Sequence, residues 1–274
     1  MPFIVGFFLL QIYPFVVSFV LSFTKFSIND TPEFIGFKNF KMLFSDSDFW
    51  KAFFVTFKYV IMLVPLKIAV SLLTALMLST RIKGMGFFRT LYYIPSILGS
   101  NIAIVIMWSF LFTSEGLVNQ VLDAVGISKI GWYGEETPAM WIIVFLRVWE
   151  FGSTMIIFLS AINDIPRELY DSARTDGAGN IKTFFYITLP MLKNAIFLNL
   201  ILQMITAFQE FNAPFLITGG NPLKGTYTVA MMIYDESFKY YNIGYASALS
   251  WVLFVVISLL ALLIFKFTKK IRSD

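Results

Sequence analysis

Histidine and cysteine are both absent from this 274-residue chain, and Lys, Arg, Asp and Glu together make up only 14% of it, against roughly 25% in an ordinary soluble domain. Without them there is no imidazole or thiolate metal ligand, no disulfide and no His- or Cys-based catalysis. No Pro/Gly/Ser-rich linker or low-complexity tract divides the chain, so one unit over residues 1–274 is expected, although its length would permit two domains. The formal charge is +4, but the Lys and Arg residues sit between apolar runs instead of forming one basic face, which argues against a nucleic-acid surface.

What is present is apolar: 58% hydrophobic and 18% aromatic residues, with a mean hydropathy of +0.75. Six runs approach or exceed the roughly 20 residues that cross about 30 Å of hydrocarbon: 3–23, 52–78, 91–112, 139–161, 191–217 and 244–265. In lipid a single segment satisfies its backbone only as a helix, so the fold class predicted is all-α, a polytopic membrane bundle of six transmembrane helices. A cleavable signal is the alternative for the first run, but that run lacks a basic leader and a small-residue cleavage site. The chain starts directly in its first span, which leaves room for a missing cytoplasmic N-terminal arm.

Lys/Arg counts in short loops set orientation. Loops 79–90 and 162–193 with the tail 266–274 collect eleven: Arg81, Lys83, Arg89, Arg167, Arg174, Lys182, Lys193, Lys266, Lys269, Lys270 and Arg272. The opposite side has seven, and Lys58, Lys67 and Arg147 lie within spans. A multi-pass protein of the cell membrane with both termini cytoplasmic follows. Trp50, Tyr92, Tyr93, Trp132, Tyr133, Tyr240 and Tyr241 near the span ends suit interfacial belts.

The longest cytoplasmic loop, 162–190, contains NDIPRELYDSARTDGAGNIKTFFYITLP. Asp164 as a cap, Pro166 and Glu168 in the first turn, and Gly177 and Gly179 as a stop predict a helix over 165–176. Leu169, Ala173 and Gly177 share one stripe that ends in small residues, a face suited to a partner's groove. An amphipathic helix lying on the membrane would need a larger apolar face.

Here Asp171-Ser172-Ala173, then Asp176-Gly177-Ala178, then Ile187 and Leu189-Pro190 resemble the EAA loop of permease subunits in binding-protein-dependent ATP-binding-cassette importers. With the Ile-Pro before it, the Ile-Thr-Leu-Pro after it and Thr218 to Pro222 past the fifth span, the chain looks most like sugar-importer permeases of the maltose and glycerol-phosphate kind. Asp171 stands where that family usually has Glu, Ser172 where it has Ala, and Asn194 near where many members have Pro.

The resemblance implies the type I importer permease fold and half of a pore that moves a sugar or oligosaccharide inward by alternating access. It implies a coupling helix in which Glu168, Leu169, Asp171, Ser172, Ala173, Asp176, Gly177 and Ala178 meet a separate ATPase. The partners implied are two ATPase subunits, a homologous second permease subunit in a heterodimer, and an extracytoplasmic solute-binding protein. ATP and Mg would be bound by the ATPases and no cofactor by this chain, which has no G-x-x-x-x-G-K-[ST] loop.

Ions at membrane depth default to a bundle interior or a wet cavity. Arg147 and Glu150 lie about 12 and 17 Å below the outer end of the fourth span, three apart on one face. Two readings stand for them, mutual neutralisation and substrate contact; Ser153 continues the face. Gln203, Thr206 and Glu210 share one stripe of the fifth span. By resemblance to the maltose-type permease, sugar contacts fall on Gln203, Thr206, Ala207 and Glu210 and near Leu146, Trp149, Glu150 and Ser153. Ala207 and Leu146 are apolar where that relative has amides, so a different substrate is expected. Two carboxylates and one guanidinium near a common level favour a neutral or hydroxyl-rich solute over a strongly anionic one. Lys58 can snorkel outward, whereas Lys67, beside Pro65, must face protein or water. The outer loop Gly219–Asn242 reads as a turn, with docking of a binding protein implied by the family alone.

Other classes fit less well. An ion-coupled secondary transporter could use Glu150 and Glu210, but no matching Gly/Pro interruption marks the two halves; an importer permease for a non-sugar solute remains a second alternative. A membrane enzyme is not supported, because no catalytic or metal-binding constellation is present.

Overall fold

The computed structural model describes residues 2–28, 30–80, 84–99 and 101–273, with the side chains of Pro2 and of 267–273 excepted. Arg81 and Lys83, and the side chains of Lys269, Lys270 and Arg272, therefore lie outside the described residues.

A 32-residue helix, α3 (Ser47–Leu78), is the axis of the bundle. It begins where Asp46 caps it, the carboxylate accepting the Asp48 N–H at 2.8 Å. At 1.5 Å per residue it runs about 48 Å, long enough to cross a bilayer and project beyond it. Its inward stripe recurs at helical spacing through Phe49, Ala52, Thr56, Tyr59, Leu63, Lys67, Ser71 and Ala75. Around it pack α7 (Glu136–Trp149), α8 (Gly152–Asn163) and α11 (Lys193–Phe208). The first span, α1 (Phe3–Leu21), buries nothing inside the chain and leans on the last, α14 (Ile243–Ser273), through Phe15 and Phe19, each 4.7 Å from the Trp251 ring. Such an apolar surface belongs in lipid.

Three helices are long and apolar enough to span by themselves, and three further spans are bent pairs, giving six if each pair counts once. The all-α bundle is thus present; among the described residues the strands are one short pair, β1 (Thr24–Lys25) and β2 (Glu33–Phe34), antiparallel in register Thr24 to Phe34. The structure corrects the expectation of continuous helices over 91–112, 139–161 and 191–217. The third span is α4 (Met85–Leu98) and α5 (Ile102–Leu111) at 100°, with Pro95 and Gly99 ending one piece and Asn101 starting the next by accepting the Ala103 N–H at 2.9 Å. The fourth bends by 45° between α7 and α8. The fifth bends by 65° between α10 (Asn180–Met191) and α11, then breaks again before α12 (Asn212–Ile217). Backbone groups freed in lipid need new partners. Ser96 supplies them in the fourth span, its hydroxyl donating to the Glu150 carbonyl and accepting the Ser153 N–H, both at 3.1 Å. Thr228 does so in the fifth, donating to the Glu210 carbonyl at 3.0 Å.

Two apolar clusters divide the interior. The larger joins α3 and α7 to Phe208, Met232 and Leu249; the smaller gathers Ala75, Leu78, Phe158, Ile162, Ile165, Leu192 and Ala195 at the end that carries the 163–190 loop. At the opposite end, buried Asn119 donates to the Thr113, Ser114 and Ile130 carbonyls and accepts from Ile130 and the Trp132 indole. Trp132, expected at the interface, is therefore a core residue. Near Asp46, at the start of α3, burial pushes the Glu236 carboxyl upward against the Asn242 amide donating at 2.9 Å, and Asp46 and Asp235 raise it further.

Candidate functional site

The site forms where the broken helices end. Arg147 is in the last turn of α7, a favourable place for a cation, and Glu150 sits at that helix's C-terminal cap. Glu210 lies in the gap after α11 and turns back onto α12, where its Oε1 accepts the otherwise unpaired N–H of Ala213 at 3.0 Å. The two breaks bring the three charges together. Arg147 Nε and Nη2 meet Glu210 Oε2 and Oε1 at 2.7 and 2.8 Å, and Nη1 meets Glu150 Oε1 at 2.6 Å and the Gly99 carbonyl at 3.5 Å. Arg147 is 9% and Glu210 8% exposed, so one fork-shaped guanidinium holds two carboxylates away from water. Mutual neutralisation of Arg147 and Glu150 is what the structure has.

Beside this triad opens a cavity of about 360 Å³ lined by Leu63, Lys67, Arg147, Glu150, Gln203, Thr206, Ala207, Gln209, Glu210, Phe211 and Asn212. Of the expected substrate-path residues, Glu150, Gln203, Thr206, Ala207 and Glu210 are brought together in its wall. Trp149, Ser153 and Leu146 are not: Trp149 packs on Trp108 with ring centres 5.6 Å apart, Ser153 is bound through its backbone to Ser96, and Leu146 is fully buried in the main apolar cluster. Lys67, Gln209 and Asn212 join the wall without having been anticipated. A lone lysine midway along an apolar helix was the available signal for the first; nothing in run length or periodicity marked the others. Lys58, expected to snorkel, donates to Thr137 Oγ1 at 3.0 Å.

At the other candidate site, the short helix is α9 (Arg167–Thr175), two residues shorter at its start than expected. Asp164 does not cap it; Asp164 closes α8, its N–H on the Ser160 carbonyl at 3.1 Å, and Ile165 is drawn into the smaller apolar cluster. Pro166 holds the cap position with extended backbone. The end is as anticipated: Gly177 at φ +74 lets its N–H reach the Arg174 carbonyl at 3.0 Å and the Ala178 N–H reach Ala173 at 2.8 Å. Ala173 is only 8% exposed, so its methyl faces this chain's own interior and is not part of the open face. Glu168, Leu169, Asp171, Ser172, Asp176 and Gly177 are exposed, with Ala178 half-buried. Tyr170 anchors the inner side, its hydroxyl 3.1 Å from Thr188 Oγ1 on α10.

A membrane bundle whose spans break around a polar cavity, with an exposed helix between its fourth and fifth spans, defines a transport subunit. The chain belongs to the family described as binding-protein-dependent transport system inner membrane components, whose model matches residues 67–272. It is 41% identical over 269 residues to the probable ABC transporter permease protein YesP of Bacillus subtilis (strain 168), covering 97% of this chain and 87% of that one. It is 33% identical over 229 residues to the trehalose/maltose transport system permease protein MalF of Thermococcus litoralis (82% and 76% covered). A crystal structure of a bacterial alginate ABC transporter, in complex with an alginate pentasaccharide-bound periplasmic protein, shares its fold with a TM-score of 0.83 at 23% identity, covering 98% of this chain and 92% of that one. The type I importer permease fold and the reading as an ABC importer permease both follow.

Proposed function

We propose that residues 1–274 act as one permease unit that passes a carbohydrate through the membrane, as half of a pore completed by a homologous second permease subunit. The observation that carries this is the polar cavity at mid-membrane, where the Gln203, Thr206 and Gln209 side chains offer neutral donors and acceptors to sugar hydroxyls. Support comes from the solutes that relatives are named for: trehalose and maltose for the Thermococcus protein, alginate for the solved transporter.

The 163–190 loop lies on the cytoplasmic side in this reading, as do both termini. Its α9 helix seats in a cleft of one of two ATPase subunits through Glu168, Leu169, Asp171, Ser172, Asp176 and Gly177, with Ala173 and Ala178 supporting the helix from behind. ATP and Mg are held by the ATPases, and this chain binds no cofactor and catalyses no reaction. An extracytoplasmic solute-binding protein delivers the sugar to the opposite end, near the turn at Gly219 and Gly220.

Uptake of labelled oligosaccharide into vesicles supplied with ATP, with the proton gradient collapsed, tests the proposal. Uptake that needs ATP and survives the uncoupler is expected. Uptake that is lost with the gradient would favour an ion-coupled carrier, a reading to which the broken helices lend some support.

A further inference from the structure

The anticipated preference for a neutral solute rested on counting two free carboxylates against one guanidinium, and neither carboxylate is free. Glu210 uses both oxygens on Arg147 and one of them again on the Ala213 N–H, and Glu150 Oε1 is held by Nη1. Arg147 in turn has Nε, Nη1 and Nη2 engaged, so it cannot turn to a solute without stranding buried carboxylates. The triad carries one net negative charge, and the remaining charged group of the cavity wall is the cation Lys67. It is 7% exposed, lines the same cavity, and its ammonium makes no hydrogen bond and no ion pair among the described residues. Only its backbone carbonyl is used, by the Ser71 hydroxyl at 2.6 Å.

Building on the carbohydrate reading above, we propose that Lys67 receives the anionic group of an acidic saccharide, a uronate carboxylate, while Gln203 and Thr206 of the same cavity take its hydroxyls. An ammonium carries three donors and no acceptor, and in a space screened from bulk water it discriminates by charge far more than a hydroxyl or amide does. The placement suits recognition, because the cation is held at the wall of the cavity, Gln203, Thr206 and Ala207 of α11 in that wall are uncharged, and the two carboxylates there, Glu150 and Glu210, are already engaged by Arg147. The rival role for Lys67 is to balance the excess negative charge of the Arg147 triad at a distance. In that role it would be indifferent to the charge of the solute.

Equilibrium binding to the purified, fully assembled importer separates the two roles. The probes are a short uronate oligosaccharide, its methyl ester and a neutral hexose oligosaccharide of equal length. The acid is expected to bind at least about tenfold more tightly than its ester, a comparison that needs no variant. Lys67→Met is expected to erase that difference while leaving the neutral sugar's affinity in place, and Lys67→Arg to preserve it. Equal affinity of the wild type for acid and ester, or an equal loss for all probes in Lys67→Met, overturns the inference. Binding of the neutral sugar alone sinks this inference but not the carbohydrate reading; binding of none of them sinks both.

Discussion

Arg147 and Glu210 stand 63 residues apart in the chain and meet in a two-pronged ion pair, Nε to Oε2 at 2.7 Å and Nη2 to Oε1 at 2.8 Å. The pair joins the end of α7 to the gap between α11 and α12, so it fixes two of the three broken spans to each other. Removing the cation alone leaves two buried carboxylates unpaired. Arg147→Met is expected to cost about 3–5 kcal/mol, read as a lowered thermal midpoint of the detergent-solubilised protein. Adding Glu210→Gln should recover part of the loss, because a neutral amide is cheaper to bury alone than a carboxylate. A midpoint unchanged in Arg147→Met would show that the pair is not buried as described.

At Gly152 the fourth span lies close against the backbone of the third. A Cβ there would lie 2.7 Å from the Tyr92 carbonyl oxygen and 2.8 Å from the Tyr93 Cα, both backbone atoms that cannot turn aside. Gly152→Ala should therefore destabilise by about 1–3 kcal/mol. Gly86, at the start of α4, meets nothing within 4 Å. Gly86→Ala is expected to be neutral or to gain about 0.4–1 kcal/mol by restricting the unfolded chain. Thermal melts of the two variants side by side check the contrast.

Gly177→Trp tests docking at α9. No atom lies within 4 Å of where the side chain would begin, so the substitution meets no obstacle in this chain beyond its φ of +74, a strain of about 1–2 kcal/mol. Insertion and helix content should be retained. In the assembled importer ATP hydrolysis should continue while uptake is lost, and normal uptake would remove Gly177 from the contact.

Glu236 gives the region around Asp46 and Asn242 a pH dependence. Its carboxyl is raised, chiefly by burial, so the folded state favours the protonated form. The stability it contributes is complete below its unfolded pKa, near the ordinary carboxylate value, and is lost as pH rises through the higher folded value. Glu236→Gln mimics the protonated group and keeps an acceptor for the Asn242 amide. Melting midpoints measured from acid to neutral pH should fall more in the wild type than in the variant; parallel curves would count against the assignment.

The run lengths made the six spans legible, because about 20 apolar residues in a row have few alternatives. The breaks at Glu150 and Glu210 were not legible, since their freed backbone groups find partners far along the chain: Ser96 for Glu150 and Ser153, and Thr228 for Glu210. The same division runs through the site. Spacing of three announced the meeting of Arg147 and Glu150, and spacing of three and four announced the wall of Gln203 and Thr206. Pairing of Arg147 with Glu210 had no local signal. Lys67 could be read as shielded from lipid, but its share in the cavity depended on how α3 faces α7 and α11. For α9, Gly177 was readable from its need for positive φ; the inward turn of Ala173 was not, because burial is decided by neighbours the helix does not contain.

The two interruptions of the fifth span have a mechanical consequence. They isolate α11 as a rod of 16 residues, about 24 Å long, with an elbow of 65° at one end and a gap at the other. If α9 docks on an ATPase as proposed, a push relayed by Tyr170 and Thr188 would meet the elbow first, and a rod jointed at both ends would rock where an unbroken helix would slide. Gln203 and Thr206 ride on that rod, while Glu210, just past the far joint, is clamped to Arg147. On the coupling proposed above, the wall formed by Gln203 and Thr206 is the moving member, and the Arg147–Glu210 pair is the pin about which it swings.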